Sequence, residues 1–418
     1  MFTNLNEALN WLYEQKKSKK REDLSRISYL IKKLNIKFNY KIVHIAGTNG
    51  KGSTASFIKK MLMMNNKKVG LFVSPFVIKF NERIEINDDY ITDDKILDYC
   101  NYLYTITQNY FDDFNDTIPF FELTFLMALL YFNESNIDYL VLECGMGGKL
   151  DSTNVVEADI QVITNIGFDH INQLGPTIYD IADHKLGITR PNKVCFTATD
   201  ESLKDYFIEY SKNNGSIINF INDDVKVLDL NDGVTFKFKN EIYHTKMNGA
   251  YQAYNASLAI SVIKELIPSI SKDVIDKALD DTYWPGRFEY IKENIIIDGA
   301  HNIHGVDALV DTLKNKYPNK YIKVVFTALQ DKAIDQMLKS LDEITDFYYF
   351  TSIIDKRGTD VNYFKSFTTK QYVLIEDYVI ALDKAVSEVN DDEILVITGS
   401  LHFISNVIKY FGEKDEWI

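Results

Sequence analysis

Eight consecutive residues carry the chemistry most easily read from this chain: Gly47, Thr48, Asn49, Gly50, Lys51, Gly52, Ser53 and Thr54. In that order they suit a polyphosphate. Glycines let backbone amides approach phosphate oxygens, a helix N-terminus favours negative charge, the Lys51 ammonium reaches the outer phosphates, and a Ser53 or Thr54 hydroxyl can ligate magnesium. The spacing departs from the common G-x-x-x-x-G-K-[ST] loop, because two residues separate Gly47 from Gly50 and Gly52 follows the lysine. Three more polar residues arrive at the ends of apolar runs: Ser74 after VGLFV, Glu143 after IDYLVL, and His170 beyond ITNIGFD. Ligands of open α/β sheets bind outside the carboxyl ends of the strands, so these groups are expected at the same edge as the glycine loop. Glu143 there can coordinate magnesium or orient water. Each also has a plainer reading, Ser74 as a turn residue, Glu143 as a cap and His170 as a structural histidine.

The elements that must position these residues follow from apolar spacing. Residues 4 to 34 carry leucines and isoleucines at helical intervals, giving two amphipathic helices, with the basic run Lys16 to Arg21 read as a solvated helix end. Ile42 to Ala46 is a buried strand, and Ser53 to Met64 the helix after the glycine turn. Val69 to Pro75 is a second strand, followed by a polar segment. Phe120 to Asn133 is a buried helix after Pro119, and the continuous apolar run up to Glu143 suits a parallel strand covered on both faces. Gly145, Gly147 and Gly148 mark a loop lying close to a ligand. A helix from Thr177 to Arg190 carries His184 and Lys185, residues 194 to 245 suggest hairpins, and Asn255 lies on a helix from Asn248 to Ile267. WPGRFE then punctuates the chain, and strands alternate with helices to the end.

The fold class is therefore α/β: an N-terminal P-loop domain with a mainly parallel sheet over residues 1–284, and a smaller Rossmann-like domain over 285–418. A formal charge of -14 argues against a general binder of nucleic acid or anionic membrane. The longest oily segment, Phe120 to Phe132, contains Glu122 and is shorter than the roughly 20 residues that span a bilayer. Cys100, Cys144 and Cys195 show no paired spacing and imply neither a disulfide framework nor a zinc site. With no secretory leader, a cytoplasmic, monomeric enzyme is expected.

On HIAGTNGKGST, SPFVIKFNERI, LECGMGGKLDSTN, ITNIGFDHINQLG, HKLGITRP, YQAYNASLA, WPGRFE, DGAHN and TGSLHF, the chain resembles the folylpolyglutamate synthase and dihydrofolate synthase family of Mur-type ATP-dependent amide ligases. The resemblance implies that ATP phosphorylates a folate or dihydropteroate carboxylate and that L-glutamate attacks the acyl phosphate. It places the phosphates on the loop from Gly47 to Thr54, magnesium on Ser53, Ser74, Glu143 and His170, and the rest of ATP on Asn255, Arg287 and Asp298. Arg287 and Asp298 lie beyond the domain boundary, so domain closure is expected to complete the site. His301 is expected near the transferring group or the glutamate. Phe121, Leu150, Asp151 and Ser152 are implied for the pterin substrate, Ser400 and His402 for glutamate, and Lys185 as an N6-carboxylysine.

Three departures from the family pattern stand out: Ile303 replaces the proline usual after DGAHN, Lys185 sits in DHKLG, and KKSKKRED replaces a glycine-rich link. The last bears on dihydrofolate synthase activity more than on ligation itself. Two other readings share parts of the pattern: a Mur-type ligase for a cell-wall precursor, and a non-catalytic ATP-binding module.

Overall fold

The strand that ends at the glycine loop lies at the centre of the larger sheet because both of its faces are apolar. In the computed structural model, which describes residues 1–15, 22–353 and 357–413, this strand is β1 (Lys41–Ala46), and five of its six residues are buried. The basic run Lys16 to Arg21 lies outside the described residues. The chain forms two compact units. Met1–Ile166, His170–Asn222 and Asn255–Ala278 make the first, and Gly167–Asp169, Asp223–Tyr254 and Leu279–Ile418 the second.

In the first unit, β1 is followed by β2 (Val69–Phe72), β3 (Ile84–Ile86), β4 (Asp89–Tyr90), β5 (Tyr139–Glu143), β6 (Ile160–Ile163), β7 (Val194–Thr197) and β8 (Ile217–Phe220). They form an eight-stranded sheet in the order β4-β3-β2-β5-β1-β6-β7-β8. The pairs from β2 to β8 are parallel, and β3 and β4 add an antiparallel edge. Helices cover both faces, so the inner strands are apolar throughout rather than alternating. One core gathers Leu12, Ile27, Leu30, Phe72, Leu103, Phe125, Phe132 and Leu140. The other gathers Ile163, Ile181, Leu186, Cys195 and Phe207.

The helix Phe120–Ser135 starts after Pro119 and stops at Asn136, whose φ of 49° takes the chain out of the helix. Helix Asp93–Phe114, not marked by the sequence reading, buries Ile96, Tyr99, Cys100, Leu103, Ile106 and Tyr110 at intervals of one helical face. Its start is capped by the Thr92 hydroxyl, which accepts from Lys95 N at 3.3 Å. Residues 194 to 220 also differ from the hairpins expected there. Helix Lys204–Asn214 carries the chain over from β7 to β8, and both strands extend the parallel sheet.

The second unit contains the true hairpins, β9 (Val225–Asp229), β10 (Val234–Phe238) and β11 (Glu241–Thr245), antiparallel throughout. Its main sheet runs β12 (Glu289–Lys292), β13 (Ile295–Asp298), β14 (Tyr321–Phe326), β15 (Phe347–Ser352), β16 (Gln371–Asp377) and β17 (Glu393–Thr398) in chain order. In space the order is β12-β13-β17-β14-β15-β16, parallel except for β12. Helix Ile303–Lys316 begins without a proline because Asn302 caps it, its side-chain oxygen accepting from Gly305 N at 2.9 Å. Ile303 is thus tolerated at the first helical position.

Candidate active site

The loop from β1 to helix Lys51–Met64 is shaped by two close approaches. Gly50 has φ 81°, and a Cβ there would lie 2.3 Å from the side-chain oxygen of Asn255. At Gly47 a Cβ would meet the Thr164 hydroxyl at 1.8 Å. Glycine is therefore dictated by backbone conformation and by packing at both positions. The loop is held from outside as well. Asn165 accepts from Thr48 N through its carbonyl at 3.0 Å and from Asn49 N through its side chain at 2.9 Å. The Thr164 hydroxyl donates to Asn49 O at 2.5 Å. Thr164 and Asn165, which follow β6, were not singled out in the sequence; the signal was the switch from an apolar run to Thr-Asn.

Lys51 folds over this loop, with Nζ 3.1 Å from Gly47 O and 3.3 Å from Thr48 O. The same ammonium is 3.8 Å from Glu143 Oε1, and Glu143 is buried. The other carboxylate oxygen accepts from Ser74 N at 3.0 Å. Ser74, Glu143 and Lys51 are therefore gathered at the carboxyl ends of β2, β5 and β1. Ser53 and Thr54 are buried in the first turn of the helix, and the Thr54 hydroxyl has no hydrogen-bond partner. Hydroxyl and carboxylate oxygens are hard donors that suit magnesium. His170 is exposed and holds a left-handed φ of 52° at the start of helix Ile171–Leu174. Among the described residues, no group of three or more His, Cys, Asp or Glu side chains forms a metal cage.

Lys185 is 4% exposed on helix Ile178–Leu186. The loop after Glu143 packs onto that helix: Lys149 N donates to His184 O at 2.6 Å, and a Cβ on Gly148 would be 3.2 Å from Lys185 Cα. Lys51 and Lys185 both act on Cys144, although burial dominates and pushes that thiol up.

Asp151 is buried, and its carboxylate is taken up by the loop itself. It accepts from Met146 N at 2.8 Å, Thr153 N at 3.0 Å and the Thr153 hydroxyl at 2.6 Å. Burial raises its pKa and these hydrogen bonds oppose the rise. Phe121 packs on Gly145, where a Cβ would lie 2.6 Å from its ring, and Leu150 is 45% exposed. The Ser152 hydroxyl is 3.4 Å from Glu122, which holds Arg26 through Nε at 2.8 Å and Nη2 at 2.9 Å. Asp116 takes Arg26 Nη1 at 3.2 Å.

In the second unit, Asp298 at the end of β13 accepts from Phe288 N and Ala300 N, both at 2.8 Å. Burial raises its pKa, and Arg287 opposes that. Arg287 Nη1 lies 2.9 Å from where a Gly299 Cβ would stand. His301 donates from Nδ1 to Gly299 O at 2.9 Å, since a carbonyl can only accept, and its Nε2 is 3.6 Å from Asp169. Asp169 also binds Lys332 at 2.6 Å and the Asn302 amide at 3.1 Å. Ser400 is buried just before helix Leu401–Glu413, and His402 on its first turn is exposed. Asn255 belongs to the first unit, and Arg287, Asp298, His301, Ser400 and His402 to the second.

Residues 45–263 match the Mur ligase middle domain and residues 286–401 the Mur ligase glutamate ligase domain. The dihydrofolate synthase/folylpolyglutamate synthase of Bacillus subtilis (strain 168) is 34% identical over 429 residues, covering 98% of this chain and 99% of the relative. The folylpolyglutamate synthase structure from Thermotoga maritima aligns with a TM-score of 0.83 at 30% identity, covering 99% of this chain and 98% of that one. E. coli FolC in complex with DHPP and ADP aligns at TM-score 0.89 and 23% identity over 99% of both chains, a likeness of fold. With both Mur ligase domains matched and a 34% identical relative covered almost end to end, this chain belongs to the dihydrofolate synthase/folylpolyglutamate synthase family of Mur-type ligases.

Proposed function

We propose that this chain joins L-glutamate to a folate-type carboxylate at the expense of ATP, through an acyl phosphate, and that the residues gathered around Lys51 carry out the activation. The supporting observation is the convergence of Lys51, Glu143 and the amide of Ser74 on a glycine loop held by Thr164 and Asn165 and closely approached by Asn255. A carboxylate is a poor electrophile until one oxygen becomes a leaving group, so the first step is phosphoryl transfer, governed by positioning and charge stabilisation. The loop amides and Lys51 hold the phosphates. Ser53, Ser74, Glu143 and His170 are the residues that would hold a divalent ion, which supplies positive charge to the phosphoryl group when bound.

Lys185 fits the role of an N6-carboxylysine. It is buried, it acts with Lys51 on Cys144, the residue after Glu143, and carbamylation would turn it into a long carboxylate able to serve as an oxygen ligand. Arg287, Asp298 and Asn255 complete the nucleotide site, His301, Ser400 and His402 serve the glutamate, and Phe121, Leu150 and Ser152 line the pterin side. Asp151 serves that side indirectly, by tying down the loop that carries its neighbours. We assign residues 1–284 to an ATP-binding domain and 285–418 to a glutamate-ligase domain, working in the cytoplasm. Among the described residues no helix is long and apolar enough to cross a membrane.

The test is phosphate release that depends on glutamate, measured separately with dihydropteroate and with a reduced folate monoglutamate. Release with either acid supports the reading, and the pair decides which reactions are run. Lys51→Ala should lower turnover at least about 10²-fold, the loss typical of one transition-state charge donor. Undiminished turnover in that variant at saturating ATP would sink the assignment.

A further inference from the structure

The turn Phe80–Arg83 sits between Ser74 and β3, and the protein itself uses all but one of its polar side chains. Asn81 donates to Ile91 O at 2.7 Å and to Asp93 at 2.9 Å. Glu82 accepts from the amides of Val77, Ile78 and Lys79 at 2.7–3.1 Å, and so ties down the segment after Ser74. Arg83 is the exception. It is 8% exposed, and among the described residues its Nε is buried with no hydrogen-bond partner and its side chain forms no ion pair.

The guanidinium rests instead on two rings, Phe76 at 5.2 Å and Phe120 at 5.3 Å. Rings attract a cation but leave its N–H edge without acceptors. Burying a guanidinium in that way, with Nε left without an acceptor, is costly unless something else completes the set. Burial pulls the Arg83 pKa down to about 10, with only distant help from Tyr13, Glu143 and Glu82. The group remains charged at neutral pH.

Its location supplies the partner. The carbonyl of Arg83 accepts from Val73 N at 3.1 Å, and the next amide along, Ser74 N, binds Glu143. Phe120 adjoins Phe121 and stacks on Tyr13 at 5.4 Å. The Arg83 backbone thus pairs one residue before the amide that binds Glu143, whose charge acts on its guanidinium, and that guanidinium lies on the ring next in sequence to Phe121.

We infer that Arg83 is the fork that receives the carboxylate of the folate-type acid and presents one of its oxygens for phosphorylation. This rests on the folate-ligase reading above and names the group that recognises the reacting end of that substrate. A planar guanidinium matches a carboxylate through two parallel hydrogen bonds, and no other buried donor of the turn is left to do so. The ion pair forms only with substrate, so the buried charge is satisfied when the acid is in place.

Arg83→Met and Arg83→Lys test this, with binding of dihydropteroate compared against its neutral carboxamide, and with KM measured for acid and for ATP. The native enzyme should prefer acid to amide. Arg83→Met should lose that preference and raise KM for the acid at least about tenfold, as expected for a lost charged hydrogen-bond pair, with KM for ATP unchanged. Arg83→Lys, which keeps charge without the fork, should fall between. The unliganded melting temperature of Arg83→Met should hold or rise, because an unpaired buried charge is gone.

Retained acid preference in Arg83→Met, with a lower melting temperature, would assign the residue to packing and overturn the proposal. A rise in KM for ATP alone would overturn it in favour of a phosphate contact. If the native enzyme ligates neither acid, the folate reading fails at the phosphate-release assay, and the ligand named here falls with it.

Discussion

Removing Glu122 tests how the pterin side of the site is held. The carboxylate takes two donors of Arg26, Nε at 2.8 Å and Nη2 at 2.9 Å, and the pair is buried, at 7% and 9% side-chain exposure. In Glu122→Ala both donors lose their acceptor while the cation stays inside, left with Asp116 alone at 3.2 Å. Two charged hydrogen bonds of about 1.5–3 kcal/mol each set the scale, and breaking a buried pair by removing one partner costs about 3–5 kcal/mol. Urea unfolding of the first unit should therefore shift by about that amount. Replacing the whole cluster, with Arg26→Met, Glu122→Leu and Asp116→Asn, should recover most of the loss, because the first two side chains need no partners and the third no longer carries a buried charge. KM for the folate acid should rise in Glu122→Ala, since helix Phe120–Ser135 also carries Phe121 and Ser152 leans on the same carboxylate. A cost below about 1 kcal/mol, the worth of an exposed pair, would refute the claim that Arg26 is anchored by Glu122.

Gly50→Ala should cost about 1–2 kcal/mol from its left-handed backbone alone. It should also push Asn255 aside, raising KM for ATP; an unchanged KM would separate Asn255 from the nucleotide. Lys185→Ala should abolish turnover, and protein equilibrated with carbon-13 bicarbonate should give a carbamate resonance that this variant lacks. A bare amine in the native protein, with full activity in the variant, would end the carboxylysine assignment. His244 faces two acceptors, Asp280 at 2.8 Å and Asp232 O at 2.6 Å. Burial works against its charged form, but these hydrogen bonds outweigh it and raise the pKa above the ordinary histidine value. Its contribution is thus full below about pH 6.5 and disappears as pH rises through the higher folded value, worth about 0.2–1 kcal/mol for a partly exposed pair. His244→Gln should flatten that part of the stability profile seen by thermal unfolding from about pH 5.5 to about pH 8.5, a span that brackets the ordinary histidine value of about 6.5 and the raised one above it.

The glycine loop was legible because strand, turn and helix each leave a local signature, and Gly50 with φ 81° is a residue type dictated by backbone shape. Glu143 was legible for a similar reason, as the single acid ending an apolar run. What holds these groups was not. Thr164 and Asn165 lie more than a hundred residues beyond the loop they clamp, and nothing local says which backbone amides they meet. Helix Asp93–Phe114 mixes tyrosines and acids that blur its apolar face. The parallel strands β7 and β8 resemble hairpin strands locally, because partner choice depends on the helix between them. Asp151 reads as a ligand contact, yet its acceptors are consumed within its own loop, a matter of three-dimensional proximity that residue type cannot disclose.

The place of β1 in its sheet also has a consequence for the order of synthesis. Its two neighbours are β5, where Lys41 lies beside Tyr139, and β6, where Ala46 lies beside Ile163. At a translation rate of about 5–20 residues per second, Lys41 leaves the ribosome roughly 6–24 s before Ile163. Until Tyr139 follows, roughly 5–20 s after Lys41, an Ile- and Val-rich strand has neither flank to pair with, and until Ile163 it still lacks one, while the helices and the β3–β4 hairpin need only nearby sequence. Contacts of such long range are slow to form and leave apolar edges open to aggregation. The nascent chain is accordingly most vulnerable over its first 160 or so residues, and the glycine loop acquires its clamps only when Thr164 and Asn165 have emerged.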